Sequence, residues 1–196
     1  MIQSITDLSA DSLSGFDLII DVRSPGEFAE DHLPGAVNLP VLDNAERARI
    51  GTIYKQYSPY EARRQGAALV ARNIARHIET ALKDRPATFH PLIYCWRGGM
   101  RSNAMATVFK SIGWRSGVVQ GGYKAWRRQV TGGLRGDAAL CPVILIDGPT
   151  GTAKTDIVRA LIRRGAQAVD LEGLAGHKGS VFGGREADQP AQKLFE

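Results

Sequence analysis

"PLIYCWRGGMRSNAMATVFKSIG", residues 91–113, is the stretch that decides the fold. An apolar run ends in Cys95. Two arginines and two glycines follow, and a helical pattern then opens and closes on Gly113. Strand, glycine loop and helix is the unit from which open parallel sheets are built, and such sheets hold their ligands at the loop. The same alternation recurs on both sides. "FDLIIDVRS" (16–24) reads as a buried strand and "PGEFAEDH" as a helical turn opened by Pro25 and acids. "LPGAVNLP" (33–40) reads as a turn with a short extended segment. From Glu61 to Lys83 a long helix is expected, with Val70, Ile74, Ile78 and Leu82 on one face and Arg72, Arg76, Glu79 and Lys83 on another. "ATFHPLIY" (87–94) and "SGVVQGG" (116–122) read as further strands, and "YKAWRRQV" as a helix. The expectation for residues 1–130 is an α/β domain, a parallel sheet with helices on both faces.

The loop 95–101 has the makings of a nucleophile site. A thiol attacks as its thiolate, and a free cysteine ionises only near pH ~8.5. Three features would lower that value. Gly98 and Gly99 allow backbone N–H groups to turn inward as an anion-binding nest. The helix starting near Arg101 points its positive end at the sulfur. Arg97 and Arg101 add full charges. The same cradle suits an oxyanion such as thiosulfate or phosphate. A buried structural cysteine is the competing reading. Cys141, the other of the two cysteines, lacks this context. Two isolated cysteines do not make a disulfide framework.

Composition fits an ordinary globular protein, 43% apolar and 23% charged. There is no secretory signal pattern and no apolar run long enough for a bilayer, so a cytoplasmic protein without membrane association is expected. The net charge of +5 is unevenly placed: residues 85–135 contain no Asp or Glu, while the first third is acid-rich. That asymmetry suits an anionic partner near Cys95, or else a solvated basic face.

A second glycine loop, "DGPTGTAKT" (147–155), follows the apolar run "CPVILI", expected to be a strand, and opens the helical pattern "KTDIVRALIRRG". It fits G-x-x-x-x-G-K-[ST] at Gly148, Lys154 and Thr155, with Ala153 in place of the second glycine. The motif holds phosphates on backbone N–H groups and a lysine, and its hydroxyl can ligate Mg²⁺. "AVDLEG" is expected to be a second strand, with Asp170 and Glu172 as candidate metal-organising carboxylates. Residues 131–140, Gly-rich and without apolar periodicity, read as a linker. Residues 141–196 then hold the N-terminal part of a P-loop domain, too short for a stable sheet, which is expected to continue beyond Glu196.

"LIIDVRSPGEFAEDHLPGAVNLP" (18–40) and "GGYKAW" (121–126) resemble the two signatures of rhodanese domains. The resemblance implies a rhodanese-like fold in which the loop cysteine takes up a sulfur-type atom. Arg101 lies six positions after Cys95, giving C-x5-R, one residue longer than in most rhodaneses and the spacing of tyrosine phosphatases. The order "CWRGGMRS", "DGPTGTAKT", "DLEGLAGHKGSVFGG" and a later "QP" resembles the tRNA 2-selenouridine synthase family, a rhodanese-like domain fused to a P-loop domain. That resemblance implies a tRNA-modifying transferase replacing sulfur by selenium at the wobble 2-thiouridine via an S-geranylated intermediate. Cys95 would handle selenium, and Trp96, Arg97, Gly98, Gly99, Met100 and Arg101 would cradle the selenophosphate donor. Gly148, Gly151, Lys154 and Thr155 would hold the diphosphate of geranyl diphosphate. Arg63, Arg64, Arg72, Arg76, Arg127 and Arg128 would meet tRNA phosphates, and Trp96 would either stack on the base or pack on the core. The implied co-substrates are selenophosphate and geranyl diphosphate, with Mg²⁺ a candidate ion, no tightly bound cofactor, no protein metal centre and an enzyme supplying selenophosphate as a candidate partner. The 196-residue chain alone is expected to be inactive. The alternatives are a rhodanese-type sulfurtransferase acting on thiosulfate or a persulfide, a Cys-dependent phosphatase, and a non-catalytic RNA-docking module.

Overall fold

The computed structural model describes residues 2–135, 142–177 and 189–195. They divide into two compact units, Met1–Leu134 and Arg135–Glu196.

In the first unit five short strands form one parallel sheet: β1 (Ile2–Ile5), β2 (Leu18–Asp21), β3 (Ala36–Asn38), β4 (Pro91–Tyr94) and β5 (Ser116–Val119), in the order β1-β5-β4-β2-β3. Between them run α1 (Ala10–Ser14), α2 (Pro25–Glu30), α3 (Asn44–Gln56), α4 (Pro59–Glu79) and α5 (Met100–Ile112), and α6 (Gly122–Arg135) follows β5. Side chains along a strand alternate between faces, and β4, buried throughout, shows it plainly. Ile93 and Cys95 join Ile74 of α4 and Met105 and Phe109 of α5 in one core cluster. Leu92 and Tyr94 join Ile5, Leu33 and Tyr123 of α6 in the other. Helices therefore cover both faces, as the sequence pattern leads one to expect, and Cys95 extends the face covered by α4 and α5.

Several boundaries differ from the sequence reading. The strand expected over 87–94 is confined to Pro91–Tyr94, because Phe89 N–H closes a turn on the Pro86 carbonyl. The long helix runs Pro59–Glu79, with Ser58 accepting from Glu61 N–H as its N-cap. Strand β1, helix α1 and helix α3 carry no strong signal of their own. Helix α3 has weak amphipathic character, and it starts because Asp43 and Glu46 form a reciprocal capping box. Helix α6 continues to Arg135, so residues 131–135, read as linker, are helical despite Gly132 and Gly133.

The second unit contains α7 (Lys154–Arg163), α8 (Leu171–Leu174) and α9 (Gln192–Phe195). The strand expected from "PVILID" does not form. Among the described residues no strand pairs with 142–147, and Val143, Ile144 and Leu145 are exposed. A strand needs a neighbour to take its N–H and C=O groups, and an apolar run by itself supplies none. "AVDLEG", the second strand expected there, ends instead in α8, whose N-cap Asp170 accepts from Gly173 N–H. Cys141 and most of "GHKGSVFGG" lie outside the described residues.

Candidate active site

Cys95 sits at the carboxyl end of β4, 3% exposed. Its Sγ accepts from Gly99 N–H at 3.2 Å and lies 3.3 Å from Ser102 Oγ. Burial pushes the thiol up, but the Ser102 hydroxyl and the backbone N–H groups of Ser102, Gly99 and Arg97 outweigh it, and the thiol is held below its ordinary value. Ser102 Oγ also lies 3.1 Å from the Gly99 carbonyl, to which its single proton can point. A thiolate has no proton to give, so it keeps the bond to Ser102 only when the serine turns its hydroxyl onto the sulfur.

The loop is clamped from the opposite side by the glycines of "GGYKAW". A Cβ on Gly122 (φ 57°) would collide with the Cys95 carbonyl and the Gly98 N–H, and one on Gly98 (φ 64°) with the Val119 carbonyl. Helix α6 then begins with Tyr123 N–H on the Cys95 carbonyl (2.8 Å) and Lys124 N–H on the Trp96 carbonyl (3.2 Å). Beneath lies a buried polar network. Arg23, 1% exposed, bonds Asp21 at 2.6 Å and the Asp31 carbonyl at 2.6 Å, with its guanidinium over the Tyr123 ring. Tyr123 Oη donates to Asp31 at 2.7 Å. Burial works against the Arg23 charge, and Asp21 more than restores it.

The two loop arginines enter differently than their spacing suggests. Arg97 acts on the thiol through its backbone N–H, and its side chain is exposed. Arg101 pairs with Glu27 of α2 at 3.1 Å, and Glu27 also takes Arg47 of α3 at 2.8 Å. Burial raises the Glu27 carboxyl, but Arg101, Ser24 and Arg47 together bring it below its ordinary value. So an acid absent from the neighbouring sequence reaches the loop through space. Trp96 is packed, its ring stacked on Tyr123 with centroids 5.2 Å apart, while Met100 is 74% exposed.

The arginines proposed for phosphate contacts do not form one patch. Arg63, Arg64, Arg72 and Arg76 are exposed on α4, and Arg64 is paired with Glu61 at 2.6 Å. Arg127 and Arg128 lie on α6, which packs on the other face of the sheet, and Arg127 reaches Asp31 at 4.0 Å.

In the second unit, the loop before α7 bends through Gly148, Gly151 and Ala153, the only non-glycine with positive φ (59°) among the described residues. Lys154 Nζ donates to the carbonyls of Gly148 (2.6 Å) and Pro149 (2.8 Å). Thr155 Oγ1 donates to Glu172 at 2.7 Å, whereas Asp170 caps α8 and pairs with Arg159 at 3.4 Å. Of the two carboxylates singled out in the sequence, Glu172 is the one at the loop. A cavity of about 300 Å³ lies there, lined by residues 150–156 and Glu172. No cluster of three metal-ligating side chains occurs among the described residues.

Residues 4–129 match the rhodanese-like domain and residues 141–196 the tRNA 2-selenouridine synthase AAA domain. The chain belongs to the rhodanese-like domain family and is similar over most of its length to tRNA 2-selenouridine synthases. It is 42% identical to the tRNA 2-selenouridine synthase of Proteus mirabilis (strain HI4320) and 38% identical to that of Shewanella denitrificans, in each case over 91% of this chain and 48% of the relative. The chain thus spans about half the length of the curated relatives it matches. Among solved structures, the N-terminal domain of a Clostridium difficile 630 protein named for ATP/GTP binding is 32% identical with a TM-score of 0.52, over 66% of this chain and 98% of that one. No described helix is long and apolar enough to cross a membrane.

Ser102, Glu27, Gly122 and the Arg23 network are the site residues that the sequence reading missed. Ser102 follows Arg101 directly and was legible as a hydroxyl within one helical turn of the loop. The others come from distant segments, and only the "DVR" and "GGYKAW" signatures hinted at them.

Proposed function

We propose that this family member acts in the cytoplasm on tRNA, exchanging sulfur for selenium at the wobble 2-thiouridine. Geranyl diphosphate would alkylate the thiocarbonyl sulfur: an S–C bond forms, a C–O bond breaks and diphosphate leaves. Selenium at the selenide level, released from selenophosphate, then adds at C2 of the base. The C2–S bond breaks, geranylthiolate departs and the C2–Se bond remains, with no net oxidation. The alkyl group matters because it turns a thiocarbonyl sulfur into a leaving group.

The observation that carries this reading is the Cys95 sulfur, lowered in pKa and held by loop N–H groups and Ser102 in a loop one residue longer than the common rhodanese form. Such a loop suits a phosphate-bearing donor. The residues Trp96 to Arg101 would cradle it, with Arg101 turning from Glu27 to the anion. In the second unit Gly148, Gly151, Lys154 and Thr155 would hold the geranyl diphosphate. The oxygens of Thr155 and Glu172 fit a hard cation, and Mg²⁺ there would neutralise charge on the departing diphosphate. The exposed arginines of α4 would supply tRNA phosphate contacts, and an enzyme making selenophosphate would be the upstream partner.

The test is nucleoside mass spectrometry of bulk tRNA from a host lacking the gene and given the complete gene back, as wild type or as Cys95→Ser. We expect 2-selenouridine with wild type only. Its return with Cys95→Ser would remove Cys95 from the chemistry, and its absence with both would remove the reading.

A further inference from the structure

A large cleft opens beside the Cys95 loop, between α3, α4 and the first two turns of α5, with a volume of about 940 Å³. That lies at the upper end of the ~300–1,000 Å³ usual for small-molecule sites. Its lining is apolar for a structural reason: Ala48, Gly51, Ala62, Gly66, Ala67 and Ala104 leave room where larger side chains would close the gap between the helices. Ile50, Val70, Tyr54 and Met100 complete the apolar wall, and the last two are more than half exposed. The charged side chains at the cleft are all basic: Arg47, Lys55, Arg63 and Arg101. Glu27 engages Arg47 and Arg101, but among the described residues no carboxylate pairs with Lys55 or Arg63. Met100 and Arg101 belong at once to the cleft and to the loop that holds the thiol.

An apolar trough with a positive rim, ending at a nucleophile loop, matches an apolar chain borne by a polyanion. Neither a free hydrocarbon nor a bare nucleotide uses both halves of it. We propose that this cleft binds the prenyl chain of the alkylated wobble nucleotide, so that the first unit recognises its substrate by the alkyl group as well as by charge. The proposal rests on the reading above and adds a place for the chain that is separate from the 148–155 loop. Chain burial in the α3–α4 cleft aligns the base with the Cys95 loop, and release of the prenyl thiol empties the cleft.

The experiment measures binding of this chain to two anticodon stem-loop RNAs, one with 2-thiouridine and one with S-geranyl-2-thiouridine at the wobble position. Wild type is expected to prefer the geranylated RNA by about tenfold or more, from the apolar surface it hides. Ala67→Phe fills the cleft from an exposed position on α4, and should bring the preference to within about twofold while leaving 2-thiouridine RNA binding unchanged. Ala68→Phe adds the same ring outside the cleft on the same helix and should keep the preference, so that a general effect of the ring is told apart. Equal binding of the two RNAs by wild type, or a preference that survives Ala67→Phe, overturns the cleft assignment and leaves the tRNA reading standing. Binding of neither RNA removes the tRNA reading and this inference with it. Free geranyl diphosphate that binds with the same sensitivity to Ala67→Phe, while the two RNAs bind alike, reassigns the cleft to the diphosphate and overturns the nucleotide as its occupant.

Discussion

The two glycine loops, 95–101 and 148–155, are written alike: an apolar run, glycines, a basic residue and a helix start. In the structure they differ in what they stand on. The first ends a strand paired on both sides, by β2 and β5, and is clamped by Gly122 and the start of α6 over the buried Arg23 network. The second follows residues with no strand partner among those described, and its lysine folds back on the loop's own carbonyls. A loop's motif states which groups it can offer. Its neighbours decide whether they are held in place.

The comparison predicts unequal costs. The largest should come from Arg23→Ala, which leaves Asp21 buried without its partner. Removing one member of such a pair costs about 3–5 kcal/mol, read from urea unfolding of the first unit. A loss below about 1 kcal/mol would mean that the network does not support the loop. Gly122→Ala should follow, at about 2–3 kcal/mol, since both a positive φ and a backbone collision oppose the methyl. In the second loop the expected sign reverses. Ala153 already bears a left-handed conformation, so Ala153→Gly should relieve about 1 kcal/mol, seen as slower hydrogen exchange in α7. If Gly122→Ala proves no costlier than an ordinary surface substitution, the two loops are alike after all.

What the sequence made legible follows from distance along the chain. The Cys95 loop, its flanking strand and helix, and the Gly113 stop lie within 23 residues, and local rules suffice to read them. The alternation of β2, β4 and β5 with their helices was equally local. Ser102 was in view but looked like helix. Glu27 reaches Arg101 across 74 positions, and Tyr123 reaches Asp31 across 92. Pairings at that separation leave no trace in spacing or periodicity. Arg23 stood at the end of a segment read as a buried strand, but nothing in the sequence indicated that its guanidinium is buried with it on Asp21. The "PVILID" run failed as a strand because apolarity signals burial, whereas strand structure needs a neighbour. Helix α3 was missed because its start depends on a capping box and its faces are poorly separated.

The loop's N–H groups and Ser102, rather than arginine charge, lower the Cys95 thiol. The direct measurement is the rate of Cys95 alkylation against pH, in a Cys141→Ser background, with Ser102→Ala and Arg101→Ala beside the parent. We expect a midpoint below that of an ordinary thiol, raised clearly by Ser102→Ala and moved little by Arg101→Ala. A midpoint at or above the ordinary value, or one that shifts with Arg101→Ala and not with Ser102→Ala, would contradict it.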